Sequence, residues 1–357
     1  MSDTDPDIRF DAEGRCNHCT DYLDRLANLT YERARSEPEL AAIVERIKAA
    51  GRGKEYDCVM GVSGGVDSCY VAYVAKSLGL RPLAVHMDNG WDSDTAARNI
   101  KNVANSLGIA YQSVVLDWEE FRDLQLAFLR ASVPEIETPT DIAIPAAVHR
   151  VAAENGIRFI LSGGNYATEG ILPRTWHYDA KDVRFLKAVH RKFGSGKLDS
   201  FPTFGFIKET YYKFVKRIRF VYILNLVPYA KSDAIAKLQE LGWEDYGGKH
   251  RESTITDFVQ SYLLPVKFQI DYRRATLSSQ ICAGDVTREE ALEILKTPPF
   301  DADRVRQEKV YVAKKFGIPE EELDAILADP PKTHRDYPNN ERFLEFLYGM
   351  YRRLFGN

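Results

Sequence analysis

Short apolar runs and stretches of helical spacing alternate along the first half of the chain. Four nearly continuous apolar runs predict strands: DCVMGV (57–62), RPLAVHMD (81–88), YQSVVLD (111–117) and RFILSGG (158–164). Strands of this kind are typical of parallel sheets that helices cover on both faces. The pattern therefore predicts an α/β fold with a doubly wound parallel sheet.

The intervening stretches predict helices at residues 37–50, 67–79, 94–107, 118–131 and 142–155. Asp94 is the expected N-cap of the helix at 94–107. The polar residues 1–36 predict a loop-like segment, and residues 166–210, rich in aromatic, glycine and basic side chains, predict long loops. Beyond them, helices are predicted at residues 231–241, 252–263, 287–296, 303–316, 319–328 and 339–354.

Composition narrows the class of protein. The chain has 357 residues and a formal net charge of −4, which argues against a general affinity for nucleic acid. The acidic N-terminus MSDTDPDIRF does not resemble a signal peptide, and no apolar run is long enough to span a bilayer. Cys58 and Cys69 lie in or beside apolar runs and are expected to be buried. We therefore expect a cytoplasmic enzyme.

The segment SGGVDS (63–68) lies where the first strand passes into a helix. The first backbone N–H groups of a helix have no intrahelical partner and carry partial positive charge, so they attract anions. The glycine pair lets a phosphate approach the backbone, and the hydroxyls of Ser63 and Ser68 can donate to it. Asp67 would repel a bare phosphate, so it indicates a Mg²⁺ ligand or a charge at the helix N-terminus. A tight turn without a ligand is the structural alternative.

The segment resembles the pyrophosphate loop, or PP-loop, of the N-type ATP pyrophosphatases, and it lacks the lysine of a Walker loop. The resemblance implies that ATP adenylates a carbonyl oxygen, pyrophosphate leaves, and a nitrogen or sulfur nucleophile displaces AMP. It also implies ATP contacts from Gly61, Val62, Ser63, Gly64, Gly65, Val66, Asp67, Ser68, His86, Met87, Asp88, Gly163 and Gly164. Asp88 has a second interpretation as a turn residue of the sequence DNG.

Three further segments are similar to the N-acetyl sugar amidotransferases of bacterial surface-polysaccharide and O-antigen synthesis. They are IRFDAEGRCNHCTDY (8–22), LSGGNYATEGILP (161–173) and the long stretch at 246–292 that contains GGKHRES and RRATLSSQICAG. The resemblance implies conversion of an acetamido group of a nucleotide-linked sugar, such as a UDP-linked diacetamido uronic acid, to an acetamidino group. Residues 1–52 are then an N-terminal segment, 53–205 the ATP-binding domain, and 206–357 a mostly helical region that binds substrate or a partner.

An acetamide is a poor electrophile, so its oxygen must first become a leaving group, which requires cations near the phosphates. Lys249, Arg273 and Arg274 are the candidates for binding phosphate or a sugar carboxylate, although each could be a solvated surface charge. Glu169 is a candidate for orienting the amide or transferring a proton, with a simple loop carboxylate as the alternative. The chain shows no glutaminase signature, so ammonia is expected from a separate glutaminase, which the resemblance pairs with a cyclase-like barrel.

Cys16 and Cys19 have the spacing of half a zinc site. His250 and Cys282 are the candidates for completing it, whereas His18 between the two cysteines is less easily placed on the same ion. A redox dithiol and free thiols are the alternatives.

Two other functions compete with the amidotransferase. A tRNA thiolase shares the PP-loop, and the basic and aromatic residues of 184–218 could contact RNA. A non-catalytic ATP-binding scaffold for a glutaminase is the third interpretation.

Overall fold

A computed structural model of the chain describes residue 1 and residues 5–246 and 251–355. The strands are β1 (Cys58–Gly61), β2 (Pro82–Asp88), β3 (Ala110–Val115), β4 (Phe159–Ser162) and β5 (Arg219–Tyr222). The helices of the first 200 residues are α1 (Asn17–Leu29), α2 (Arg33–Ala50), α3 (Val66–Ser77), α4 (Asp94–Leu107), α5 (Trp118–Ala131), α6 (Thr138–Glu154), α7 (Tyr166–Glu169) and α8 (Val183–Phe193).

The later helices are α9 (Phe206–Thr210), α10 (Lys231–Gln239), α11 (Thr254–Asp257), α12 (Tyr272–Ala283), α13 (Arg288–Lys296), α14 (Ala302–Phe316), α15 (Glu320–Ala328) and α16 (Glu341–Phe355). Two π-helical segments, Tyr211–Val215 and Phe258–Phe268, continue α9 and α11. Short 3-10 turns lie at Arg174–Trp176, Ile223–Asn225 and His334–Asp336.

The strands form one parallel sheet in the order β3-β2-β1-β4-β5. Alternate residues of β1 point to opposite faces: Met60 packs with residues of α2, α3 and α4, whereas Val59 packs with residues of α6. Helices therefore cover both faces of the sheet at its centre, whereas the edge strands β3 and β5 are mostly exposed. The predicted doubly wound parallel fold is confirmed, and its four predicted strands all form.

The strand β5 was not predicted. It contains four residues at the edge of the sheet, and only Val221 among them is buried. A four-residue edge strand with one buried side chain gives too weak an apolar pattern to detect in sequence. The sheet thus extends past residue 205, while the division at residues 52 and 205 stays a prediction.

The N-terminal segment is not the predicted loop. It contains α1, which Cys16 caps by accepting a hydrogen bond from the Cys19 N–H. Tyr22 of this helix is buried and stacks on Tyr166, with ring centroids 4.7 Å apart. One buried aromatic contact therefore orders a helix whose other residues are mainly polar.

Two further expectations require correction. The predicted loop region 166–210 contains α8, which forms because Phe185, Leu186 and Val189 on one face are all buried. The N-cap of α4 is Ser93, whose hydroxyl accepts from the Ala96 N–H, and Asp94 is the first helical residue. The C-terminal region is mostly helical, as predicted, and also contains α12, which was not predicted. Within the described part of the chain, no helix combines the length and the apolar character needed to cross a bilayer.

Candidate functional site

The PP-loop closes on itself through its two serines. The Ser63 N–H donates to the Ser68 hydroxyl at 3.2 Å, and the Gly65 N–H donates to the Ser63 hydroxyl at 3.3 Å. The Ser68 hydroxyl donates to the carbonyl of Gly65 at 3.1 Å. This loop precedes α3, a helix of 12 residues whose N-cap, Gly65, has no side chain to cap it. The first turn of α3 therefore offers backbone N–H groups to an anion, as expected from the sequence.

Position 64 of the PP-loop can hold only a glycine without strain, because of its backbone conformation and its contact with α4. Its φ is +82°, and a Cβ atom at this position would lie 2.5 Å from the carbonyl oxygen of Ala96. Its own carbonyl accepts a hydrogen bond of 2.8 Å from the indole of Trp243. The loop is thus fixed between α4 on one side and a buried indole from the later half of the chain on the other.

Asp67 lies in the first turn of α3 and accepts a hydrogen bond from the hydroxyl of Tyr229. Burial and the charge of Asp67 raise the pKa of Tyr229, so this hydroxyl stays protonated as a donor. A carboxylate at the mouth of a phosphate loop is a suitable oxygen ligand for the Mg²⁺ that accompanies ATP. The sequence contained no signal for Tyr229, because it lies 162 residues from Asp67.

The loop borders a cavity of about 400 Å³, here called the loop cavity. The strand ends Gly61–Val62, Val85–Met87 and Leu161–Gly163 form much of its wall. A Cβ atom on Gly163 would lie 3.1 Å from the backbone of Asp67 and Ser68, so the end of β4 lies directly against the loop. The carboxyl ends of β1, β2 and β4 therefore meet at one site, as expected of a parallel sheet.

His86 is fixed at the floor of the loop cavity. One ring nitrogen lies 2.9 Å from the carbonyl oxygen of Val62, and the other lies 2.9 Å from a carboxylate oxygen of Asp92. Burial lowers the pKa of His86, but the hydrogen bond to Asp92 and its charge outweigh burial, so the net pKa is raised. Sequence reasoning selected His86 but missed Asp92.

Some of the ATP-binding residues predicted from the sequence line the loop cavity, and others do not. The cavity wall includes Gly61, Val62, Ser63, Ser68, His86, Met87 and Gly163. Asp88 instead accepts a hydrogen bond of 2.8 Å from the Gly90 N–H, which is the turn interpretation of the sequence DNG. Gly164 lies beside the ring of Tyr222. The roles of Gly64, Gly65, Val66 and Asp67 in binding phosphate stay predictions.

A second cavity of about 520 Å³ adjoins the first, and Thr140, Ile144 and Thr256 line both. We call it the acidic cavity, because four carboxylates and no lysine or arginine are among the described residues that line it. The carboxylates belong to Glu135, Glu137, Asp141 and Glu169. Its remaining wall is mostly aromatic and apolar and includes Trp176 and Tyr272.

Glu169, which the sequence predicted to act on the substrate, lines the acidic cavity. Arg273 donates three hydrogen bonds of 3.0, 3.2 and 2.7 Å to the carboxylate of Asp271 and a fourth of 2.9 Å to the carbonyl of Thr297. Those contacts favour a structural role for Arg273. Arg274 is absent from the described residues that line either cavity.

Lys249 lies outside the described residues, and so does His250. The residues on either side of this segment are close to the PP-loop. A Cβ atom on Gly65 would lie 3.4 Å from the Tyr246 hydroxyl and 3.5 Å from a carboxylate oxygen of Glu252. The phosphate-binding role of Lys249 stays a prediction.

The predicted zinc site is not supported. The Sγ atoms of Cys16 and Cys19 are 3.4 Å apart, and Cys282 interacts with Cys19. The hydrogen bond to Cys19 and burial raise the pKa of Cys16. The Nε2 atom of His18 lies 2.5 Å from a carboxylate oxygen of Asp5. Among the described residues, no three histidine, cysteine or acidic side chains are grouped so that they could hold a metal.

Comparison with protein families identifies two parts of the chain. Residues 252–353 match the family described as LPS biosynthesis protein WbpG-like, C-terminal domain. Residues 40–125 match NAD synthase, and this segment contains the PP-loop. The chain therefore carries a PP-loop domain and a region that matches the WbpG-like C-terminal domain, which confirms the predicted superfamily and the predicted family resemblance.

Two curated relatives are tRNA-specific 2-thiouridylases. A probable mitochondrial enzyme from Caenorhabditis elegans is 30% identical over 126 residues, and an enzyme from Geobacillus kaustophilus is 34% identical over 110 residues. These matches cover 31% and 27% of this chain and 33% and 30% of the relatives. The chain thus spans about a third of the length of the curated relatives that it matches.

Similar solved structures include an NMN synthetase from Francisella tularensis, with a TM-score of 0.38 and 14% identity over 82% of this chain and 94% of that one. An NH3-dependent NAD synthetase from Campylobacter jejuni has a TM-score of 0.32 and 13% identity over 83% of this chain and 98% of that one.

Proposed function

We propose that this chain, which joins a PP-loop domain to a WbpG-like C-terminal domain, is an ATP-dependent amidotransferase of surface-polysaccharide synthesis. Its substrate is a nucleotide-linked N-acetyl sugar, such as a UDP-linked diacetamido uronic acid. It replaces the acetamido oxygen with nitrogen from ammonia and releases AMP and pyrophosphate.

One structural feature carries the proposal: the two cavities share a wall to which both domains contribute. Thr256 of the WbpG-like region lines both cavities, together with Thr140 and Ile144 of the sheet domain. Val259, Gln260 and Tyr272, which also belong to the WbpG-like region, line only the acidic cavity. A substrate in the acidic cavity therefore lies next to ATP in the loop cavity, as adenylation of that substrate requires.

The chemistry of the site fits an adenylation. The acetamido oxygen attacks the α-phosphorus of ATP, and the bond to the β-phosphate oxygen breaks. The first turn of α3 and the serine hydroxyls of the PP-loop stabilise the negative charge that collects on the departing pyrophosphate. Asp67 is the residue that would hold Mg²⁺ beside these phosphates, and this ion adds positive charge there.

The second half of the reaction replaces AMP. Ammonia adds to the imidate carbon, and the carbon–oxygen bond then breaks, so AMP leaves with the former acetamido oxygen. The product is an amidine, which takes up a proton and becomes a cation.

Ammonia comes from a separate glutaminase in this proposal. Burial raises the pKa of Cys69 to about 12, and burial also raises the pKa of Cys58. Neither thiol is therefore suited to act as the nucleophile of a glutaminase. Glutamine should not replace ammonium for the purified chain, whereas added glutaminase should make glutamine effective.

The test uses purified chain, ATP, Mg²⁺, ammonium chloride and the UDP-linked diacetamido uronic acid. We expect AMP and pyrophosphate in equal amounts with the amidino sugar, each dependent on the sugar. AMP formation that needs tRNA instead would favour a thiolase, the activity in the names of the curated relatives. ATP binding without turnover of any of these substrates would favour the scaffold.

A further inference from the structure

Two residues that line the acidic cavity have a buried polar atom that no other described residue pairs with. Within the described part of the chain, the indole N–H of Trp176, which is 3% exposed, has no hydrogen-bond acceptor, and Oε2 of Glu135, which is 9% exposed, has no donor. The other oxygen of Glu135 lies 3.5 Å from a ring nitrogen of His334. Buried polar groups are nearly always hydrogen-bonded, so an unpaired donor and an unpaired acceptor at one cavity wall indicate a polar ligand.

Glu137 is held in position on the same wall. Its two carboxylate oxygens accept hydrogen bonds from the Thr256 hydroxyl at 2.5 Å and from the Gln125 amide at 3.3 Å. It is the N-cap residue of α6, and Asp141 follows one turn later on the same face of that helix. Two carboxylates thus point into the cavity from one helix end, beside the wall shared with the loop cavity.

The surroundings of Glu137 favour proton uptake. Burial and, to a smaller extent, the charge of Asp141 raise the pKa of Glu137 to about 7, although the hydrogen bonds from Thr256 and Gln125 lower it. Asp141 is itself exposed, so it acts here as a nearby negative charge and not as a buried acid. The other titratable groups on the cavity wall are Glu135, Glu169, His177, Tyr178 and Tyr272.

We propose that the acidic cavity holds the acetamido group during its conversion, and that Glu137 is the catalytic residue that takes a proton from the attacking ammonia. This inference rests on the proposed function. As the nitrogen–carbon bond forms, a proton passes from that nitrogen to the Glu137 carboxylate. The carbon–oxygen bond then breaks, its electron pair leaves on AMP, and Glu137 returns the proton to solvent.

The charge of the cavity supports this assignment. The reaction makes a cationic amidinium from a neutral amide, so positive charge develops on nitrogen in the second step. Carboxylates placed where positive charge develops stabilise the transition state more than the neutral substrate. A cavity lined by four carboxylates is poorly suited to the nucleotide diphosphate of the substrate, so that part of the substrate should lie elsewhere.

The test separates the two half-reactions in Glu137→Gln, with Glu154→Gln as the matched control. Glu154 ends the same helix at its exposed end, 3.9 Å from Arg150. Adenylation is measured as sugar-dependent exchange of labelled pyrophosphate into ATP, without ammonia. We expect exchange in Glu137→Gln within about threefold of the parent chain. Amidine formation should fall by about 10²-fold or more, the usual contribution of a general base.

Hydroxylamine distinguishes a proton acceptor from a merely structural residue. Hydroxylamine is a weaker base than ammonia, so the nitrogen that it attaches to carbon is more acidic and loses its proton to water more readily, and its reaction depends less on a positioned base. We therefore expect Glu137→Gln to lose most of its activity with ammonium but to retain most of it with hydroxylamine. If Glu137→Gln fails to fold, Glu137→Asp is tested in the same way, with a smaller loss expected.

Equal losses with both nucleophiles, or a matching loss of pyrophosphate exchange, would overturn the role of Glu137 while leaving the proposed function intact. Absence of sugar-dependent exchange in the parent chain would instead overturn the proposed function itself.

Discussion

The loop cavity and the acidic cavity share three wall residues but are built from different kinds of interaction. The loop cavity is lined by strand ends and a glycine-rich turn, where under the proposed function backbone groups bind phosphate and side-chain identity matters at few positions. The acidic cavity is lined by side chains from several helices and loops, among them four carboxylates of which Glu135 is buried, Glu137 is half-buried, and Asp141 and Glu169 are exposed. Under the proposed function, the first cavity therefore sets the type of reaction and the second sets what is converted.

The largest effect is expected from Asp67→Asn in the loop cavity. Asp67→Asn removes the negative charge of the expected Mg²⁺ ligand and leaves only a neutral amide oxygen as the acceptor for Tyr229, so the departing pyrophosphate is less stabilised. Both pyrophosphate exchange and amidine formation should fall by about 10²–10³-fold. Asp94→Asn, in the first turn of α4, is the matched control. A fall in amidine formation alone would contradict the assignment of this cavity to adenylation.

Glu137→Gln should lower the activity but raise the stability of the folded chain at high pH. Its folded-state pKa of about 7 exceeds the ordinary value of 4.5, so the folded state holds this proton more tightly than the unfolded state. The resulting stabilisation is complete below pH 4.5 and is lost as the pH rises to about 7. Glu137→Gln should therefore be more stable than the parent chain at pH 8 by about 1–3 kcal/mol. Denaturant unfolding at pH 5 and pH 8 measures this, and an equal difference at both values would contradict it.

A smaller effect is expected from Trp243→Phe, which removes the indole donor to the Gly64 carbonyl. The PP-loop would be held less firmly, so the KM for ATP should rise by about tenfold, the effect of about 1.4 kcal/mol. Trp118→Phe, whose ring contacts Gly90, is the control. Hydroxylamine and ammonium should be affected equally, because the change lies in the loop cavity. A preference for one nucleophile would show that the two cavities do not act separately.

The smallest effect is expected from Arg273→Gln. Its guanidinium is occupied by Asp271 and Thr297, so we expect amidine formation to stay within about twofold and the free energy of unfolding to fall by about 1 kcal/mol. Steady-state kinetics and denaturant unfolding measure both. A loss of activity above tenfold without a change in stability would restore Arg273 as a substrate-binding residue.

The sheet and the loop cavity could be predicted because their signals are local. The strand ends Val62, Met87 and Gly163 follow continuous apolar runs, and the loop sequence SGGVDS is contiguous. The acidic cavity could not be predicted in this way. Glu137 and Thr256 are 119 residues apart, and no periodic pattern indicates that such residues meet.

The N-terminal helix was missed for a related reason. The helix α1 was taken for a loop because its one buried residue, Tyr22, packs on Tyr166, a contact that depends on the tertiary fold. The zinc prediction combined the spacing of Cys16 and Cys19 with Cys282 and His250 as candidates for further ligands. Cys282 does interact with Cys19, whereas His250 lies outside the described residues, so the ligand set depends on contacts between elements far apart in the chain.

The transfer of the acetamido oxygen to AMP tests the central claim most directly. The sugar is prepared with a heavy oxygen isotope in the acetamido group that reacts, and the AMP is then examined by mass spectrometry. We expect one labelled oxygen in each AMP formed, because that oxygen attacks the α-phosphorus and leaves with AMP. Unlabelled AMP alongside the amidino sugar would contradict adenylation of the acetamide by this chain.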